Sequence, residues 1–263
     1  MRIDLDLVRR VEHSAAGLAM LQAAALATLA PASEAAAEPL DSGALVAFGR
    51  GRYVNRAIGV GLGDTPVPEL VDTVTRFYAD RGMPPSLEVC PWIDRALLTE
   101  LDNGGYRLER FRNVYARDLH DLPAEGSAQL VPLDAATSGD RSRILAGDAP
   151  VGSDARRVSD EFCSAMSLIH DNVDLVALDD GVAVACGSLT IVDAVGWLGG
   201  AATGTAHRGH GLQSALVARR LRVARELGCT LAAATALPDG QSARNLERLG
   251  FTLLYTQAVL TRG

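Results

Sequence analysis

The stretch with the most chemical potential runs from Thr203 to Leu216 and reads as a strand end, a turn and the start of a helix. The turn is Ala206-His207-Arg208-Gly209-His210-Gly211-Leu212-Gln213-Ser214. A glycine-rich turn between strand and helix aims several backbone N–H groups into one concavity. N–H groups of a helix's first turn have no intrahelical acceptor, and the helix dipole adds partial positive charge there. An anion is the natural occupant, a pyrophosphate above all. Each charge-assisted hydrogen bond contributes about 1.5–3 kcal/mol, and glycine keeps side chains from holding the phosphate off the amides. Arg208 either reaches the anion or closes an ion pair within the turn, and His210 reads as an exposed loop residue. In the first half, Gly59-Val60-Gly61-Leu62-Gly63 resembles a dinucleotide fingerprint only superficially. It lacks a third glycine at the required spacing, and Pro66 and Pro68 follow it.

The elements that must position this turn follow from periodicity and breakers. Helical patterning from Asp4 to Leu29 is broken by Pro31 to Pro39. Strand character follows at Ala44–Phe48 and Tyr53–Gly61, a helix at Pro66–Asp80, a strand at Leu87–Cys90, a helix at Asp94–Leu101 and an extended stretch at Tyr106–Arg117. After an aperiodic linker the order repeats. Leu130–Leu133 reads as a strand and Asp154–Ile169 as a helix; a hairpin then turns at Asp179-Asp180-Gly181, where Asp-Gly supplies positive φ. Next come a strand at Val195–Thr203, an amphipathic helix at His210–Leu227, a strand at Thr230–Ala236, a helix at Ser242–Leu249 and a last strand at Phe251–Leu260. Gly104-Gly105-Tyr106 and Gly250-Phe251 occupy like positions after the last helix of each half, which favours a duplication. The expected domains are 1–120, a linker at 121–129, and 130–263.

Composition bounds what these halves can do. With 263 residues, 48% hydrophobic and 22% charged, the chain suits two ordinary globular cores. The net charge of −7 and the lack of any Lys/Arg-rich block argue against nucleic acid and anionic membranes as partners. The Ala-rich run Leu18–Ala30 is preceded by Asp4, Asp6 and Glu12, unlike a secretory leader, and is too short to span a bilayer. Cys90, Cys163, Cys186 and Cys229 form no Cys-x-x-Cys pair and accompany no His cluster, so no metal site is expected. They read as reduced core residues of a cytoplasmic protein. Trp92 and Trp197 read as core or interface, and Glu161 as a solvated helix carboxylate.

Arg208-x-x-Gly211-x-Gln213 resembles the Arg/Gln-x-x-Gly-x-Gly/Ala pyrophosphate loop of the GNAT acetyltransferases. Ser242-Ala243-Arg244-Asn245-Leu246-Glu247-Arg248-Leu249-Gly250-Phe251 resembles the family's second block, which ends in Gly-Phe. The resemblance implies an α/β (α+β) fold: a mixed central sheet flanked by helices, in two GNAT-like halves, the first a degenerate copy. It implies that acetyl-CoA is the acyl donor. Ala201, Ala202 and Thr203 would pair with the pantetheine arm. Arg208, Gly209, His210, Gly211, Leu212, Gln213 and Ser214 would surround the pyrophosphate, and Ser242 and Asn245 would touch the cofactor.

The implied reaction is direct attack by an acceptor amine on the thioester, with a backbone N–H stabilising the oxyanion. Three positions depart from the family pattern. Gln213 replaces a small residue, Leu246 stands where many members carry the tyrosine that protonates the thiolate, and Asp239 stands where asparagine is common. No glutamate lies on Thr230–Ala236, although Glu88 lies on the corresponding strand of the first half. Tyr255 is the candidate replacement acid, against its alternative as an ordinary strand aromatic. The expected activity is N-acetyl transfer to a primary amine of a small molecule or peptide, by a monomer or homodimer. The competing reading is an acyl-CoA sensor without turnover. A Rossmann-like nucleotide enzyme is disfavoured, because a hairpin precedes the loop.

Overall fold

The computed structural model describes residues 1–52, 54–134, 138–147 and 149–263. In chain order it holds α1 (Leu5–Leu29), a 3-10 turn (Pro31–Ser33), β1 (Ala36–Leu40), β2 (Gly43–Ala47), β3 (Arg56–Ile58), α2 (Val67–Ala79), β4 (Ser86–Val89), α3 (Arg95–Asn103) and β5 (Arg107–Asp118). Then follow β6 (Gln129–Pro132), α4 (Ser138–Ala146), α5 (Asp154–Met166), β7 (Asn172–Asp179), β8 (Val182–Val192), β9 (Val195–Thr203) and a second 3-10 turn (Thr205–His207). The chain closes with α6 (Leu212–Glu226), β10 (Leu231–Ala236), α7 (Gln241–Arg248) and β11 (Thr252–Thr261). The expected strand at Tyr53–Gly61 is confined to Arg56–Ile58, and its first residue, Tyr53, lies outside the described residues.

The chain divides into two compact units. One comprises Met1–Val114, Ala236–Pro238 and Leu253–Gly263; the other comprises Tyr115–Thr235 and Asp239–Thr252. The division falls inside β5 rather than in the 121–129 stretch, and the C-terminal strand belongs with the N-terminal unit.

In the first unit the strand order is β1-β2-β3-β4-β11, followed by the opening part of β5. β11 runs antiparallel to β4 with Val259 opposite Glu88, and β3 meets β4 in parallel at Ala57 and Leu87. α1 begins where the Asp4 carboxylate accepts the Leu7 N–H at 3.1 Å, and it continues through alanines, the best helix formers. Pro31 ends it, since its ring blocks helical continuation. Pro39 was expected only to break structure, yet it sits in β1; an edge strand tolerates a residue that cannot donate to the ladder. α2 buries Leu70, Val71, Val74, Phe77 and Tyr78 on one stripe. These pack with Leu45, Leu87, Leu97 and Leu101 into the main core of the unit.

In the second unit the order is the closing part of β5, then β10-β9-β8-β7-β6. The β7–β8 hairpin turns as the Asp-Gly pair requires, with φ 47° at Asp180 and 78° at Gly181. α6 lies against β8 and β9 and buries Ala215, Leu216, Val217, Ala218, Leu221 and Ala224. α4 went unread in the sequence. Its buried positions include Arg141 and Ser142, so no apolar period marks it. Among the described residues no helix is long and apolar enough to cross a membrane, and all four cysteines are free and buried.

Candidate cofactor-binding site

The site is built where β9 leaves β10. The two strands pair in parallel from Val195–Leu231 to Leu198–Ala234, and the register ends there while β9 continues to Thr203. On its other side β9 pairs with β8, with Ser188 opposite Gly199 and Cys186 opposite Ala202. Between those pairs two residues, Gly200 and Ala201, stand against one, Gly187, so the strand bulges. Gly200 takes φ 53°; a Cβ there would come within 2.6 Å of the Ser188 hydroxyl and 3.0 Å of Arg141. The sequence therefore needs glycine at this step. Ala201, Ala202 and Thr203, the residues expected along the pantetheine arm, follow at once and are exposed or half-buried.

Beyond Thr203 the chain makes one 3-10 turn and enters the glycine loop. His207 Nδ1 lies 3.0 Å from Asp179 Oδ2, which ties the turn to the end of the β7–β8 hairpin. This tether was not anticipated; the only signal was a histidine in the turn and an aspartate at the hairpin. Gly209 and Gly211 adopt φ 82° and 77°, with open space where a Cβ would stand. Gly211 caps α6 without a side-chain hydrogen bond, and the first bond inside the helix runs from the Ala215 N–H to the Gly211 carbonyl at 3.0 Å. The N–H groups of Leu212, Gln213 and Ser214 precede it and have no acceptor within the helix. The result is a set of half-buried amides at a helix N-terminus behind an exposed glycine loop, suited to an anion.

The side chains around the loop sort themselves. Arg208 is exposed, and its Nε donates to the Thr203 carbonyl at 3.4 Å, so it closes the turn. His210 is exposed. Leu212 packs with Leu175, Ala177, Ala185 and Leu216, and Ser214 is half-buried. Gln213, the departure from a small residue, turns its amide away from the loop. Its Nε2 donates to the Ala202 carbonyl at 2.8 Å and to Thr203 Oγ1 at 2.9 Å, bracing the loop on the strand end. On α7, Ser242 is exposed, while the Asn245 side-chain oxygen accepts from Gln241 at 2.9 Å and from Arg248. Leu246 is buried in place of a tyrosine. Cys186 lies beside the bulge, its Sγ 3.6 Å from the Gly200 carbonyl, and burial pushes the thiol up to about 11. It stays protonated near neutral pH and is no nucleophile.

Two expected reactive groups lie in the first unit. Tyr255, the candidate acid, is buried on β11 and donates to Glu12 Oε1 at 2.6 Å. Burial first, then the Glu12 carboxylate, drives its pKa far above that of a thiol. A phenol so held is a buried tyrosine whose proton is committed to Glu12. Glu88 is buried between Arg56, 2.6 Å away, and Arg112. Burial alone would raise its pKa, but the two guanidiniums outweigh that and lower it, so it is no general base.

The first unit also has a glycine turn between β3 and α2, at the position the second unit gives to its loop. Here the amides find their acceptor within the chain. Asp41, in the β1–β2 turn, accepts the N–H groups of Gly61 at 2.8 Å and Gly63 at 3.1 Å on Oδ2, and that of Thr65 at 3.1 Å on Oδ1. Burial works against the charge, yet the backbone donors of Ser42, Thr65, Gly61 and Gly63 prevail and hold its carboxyl down at about 2.

Comparisons with known proteins accord with this geometry. Residues 144–251 match the model of the acetyltransferase (GNAT) family. No curated protein was found similar to the chain. A GCN5-related N-acetyltransferase from Kribbella flavida superposes with a TM-score of 0.67 at 22% identity, covering 97% of this chain and 95% of that one. One from Sphaerobacter thermophilus gives 0.58 at 16% identity, over 86% and 82% of the two chains. A tandem GNAT protein from the clavulanic acid biosynthesis pathway gives 0.57 at 16%, over 82% and 72%. At such identities the superpositions speak for the fold, and they extend it to the N-terminal half. Residues 144–251 thus match the acetyltransferase (GNAT) family, in a chain whose mixed α/β fold is like that of GNAT proteins in both halves.

Proposed function

We propose that the second unit is an N-acyltransferase domain that takes acetyl-CoA as donor and passes its acetyl group to a primary amine of a small molecule or peptide. One observation carries this reading: β9 parts from β10 after Leu198, bulges at Gly200–Ala201 and runs directly into the amide-lined loop at Gly209–Ser214. An open strand edge followed by an anion-binding turn suits a ligand with an amide-bearing arm and a diphosphate. Acetyl-CoA, when bound, supplies an activated thioester.

The chain's own residues supply binding and orientation. The loop amides hold the diphosphate, and Ala202 and Thr203 offer backbone groups to the arm. The backbone N–H groups at the bulge are the donors for the carbonyl oxygen that gains charge during acyl transfer, a role worth roughly 3 kcal/mol per donor. Gln213 and His207 hold loop, strand and hairpin together. The amine must arrive uncharged to attack.

A sensor without turnover is the second reading, because Leu246 replaces the tyrosine and Tyr255 is committed to Glu12. Calorimetric titration with acetyl-CoA and a thiol-release assay over an amine panel test both. The expected result is saturable binding with thiol release that depends on the acceptor. Binding without release would favour the sensor, and no binding at millimolar acetyl-CoA would end both readings.

A further inference from the structure

α6 carries an arginine on its buried face. Arg220 is 1% exposed, in a row otherwise made of Leu216, Val217, Leu221 and Ala224. Its partners are carbonyls. Nε donates to Leu216 O of its own helix at 3.1 Å, and Nη1 donates to Ser188 O on β8 at 2.9 Å and to Gly199 O on β9 at 3.3 Å. Burying a cation against neutral acceptors is costly, and burial lowers its pKa to about 10. Leucine would suit the apolar row better. What leucine lacks is a planar fork able to bridge two strands.

The two carbonyls mark a specific place. Ser188 and Gly199 form the last regular pair before the bulge, and Gly199 is the first β9 residue beyond the β10 register. Gly187, the single residue opposite Gly200 and Ala201, has no room for a side chain. A Cβ there would come within 2.7 Å of Arg220 Cζ. Guanidinium and glycine are therefore fitted to each other beneath the bulge. α6 also presents the loop amides at its start, and Arg220 lies roughly 12 Å further along at 1.5 Å per residue. One residue thus couples the helix that offers the anion site to the strand step that faces the far end of an extended ligand.

We propose that Arg220 is a positioning residue that fixes the bulge at Gly200–Ala201, through the Gly199 carbonyl before it, relative to the loop at Gly209–Ser214, so that one ligand can engage both at once. This rests on the acetyl-CoA reading above. A ligand of fixed length gains from its second attachment only if the two sites keep their spacing, and misplacement by about 1 Å can cost a hundredfold.

The test compares two ligands on the full chain by calorimetry, acetyl-CoA and adenosine 3′-phosphate 5′-diphosphate, which has the diphosphate but no arm. In Arg220→Met the fragment should bind within about twofold of wild type, since the loop is untouched, while acetyl-CoA should weaken roughly tenfold or more. Arg220→Lys keeps a donor and should fall between the two. It also serves should the methionine variant fail to fold, which thermal melting reports. Equal weakening of both ligands, or an unchanged ratio in the folded variants, would overturn the proposal. If wild type binds neither ligand, the functional reading itself fails and this one with it; if wild type prefers acetyl-CoA and the ratio does not move, only the role of Arg220 is lost.

Discussion

Glu12 illustrates how one side chain can set the response of a unit to pH. It projects from α1 into the first unit's interior, where Tyr255 and Gln257 donate to Oε1 at 2.6 and 2.8 Å and Oε2 has no hydrogen-bond partner among the described residues. Burial is the largest influence and pushes its pKa up to about 7. The Glu88 carboxylate adds to this, and the two hydrogen bonds and Arg112 oppose it. The folded state therefore keeps a proton that the unfolded chain releases near 4.5. The stability this confers is present below that value and is lost as pH rises toward 7, amounting to roughly 3 kcal/mol. In Glu12→Gln the melting temperature should become flatter between pH 5 and 8 and exceed wild type at pH 8. A wild-type slope retained by the variant would refute this account. The opposite behaviour belongs to Asp41, whose contribution exists above the ordinary aspartate range and fades as pH falls toward 2.

Elements were legible where their chemistry is local. The Asp-Gly hairpin, the apolar stripe of α2 and the glycine loop before α6 each follow from a few neighbouring residues, and each lies within a few residues of its expected bounds. α4 and β1 were not legible for opposite reasons. β1 carries Pro39, which only an edge position excuses. α4 hides its buried side behind polar residues that find partners far along the chain. Arg141 is fully buried, 3.0 Å from Asp174 Oδ2 on β7 and donating to Ser188 Oγ at 2.7 Å. No periodicity rule can see a guanidinium neutralised by a strand that comes later. The same limit applies to Tyr255, whose commitment to Glu12 spans almost the whole sequence. Arg141→Ala should leave Asp174 charged and buried, destabilising the chain by about 3–5 kcal/mol, whereas replacing both with apolar residues of similar volume should cost far less. Urea unfolding of the single and double variants measures the difference, and equal losses would show that the pair is not the cause.

At the scale of the whole molecule, the two units share an order of elements but not a fate for their glycine turns. In the second, Gly209 and Gly211 leave the amides open; in the first, Asp41 already sits on those of Gly61, Gly63 and Thr65. An internal carboxylate is tethered, so a free phosphate would have to displace a group that never diffuses away, and would leave that group's charge beside its own. On the acetyl-CoA reading proposed above, the second unit's turn is the one left open to a ligand. Titration of the full chain with acetyl-CoA should saturate at one molar equivalent, and a stoichiometry of two would mean that Asp41 yields its place.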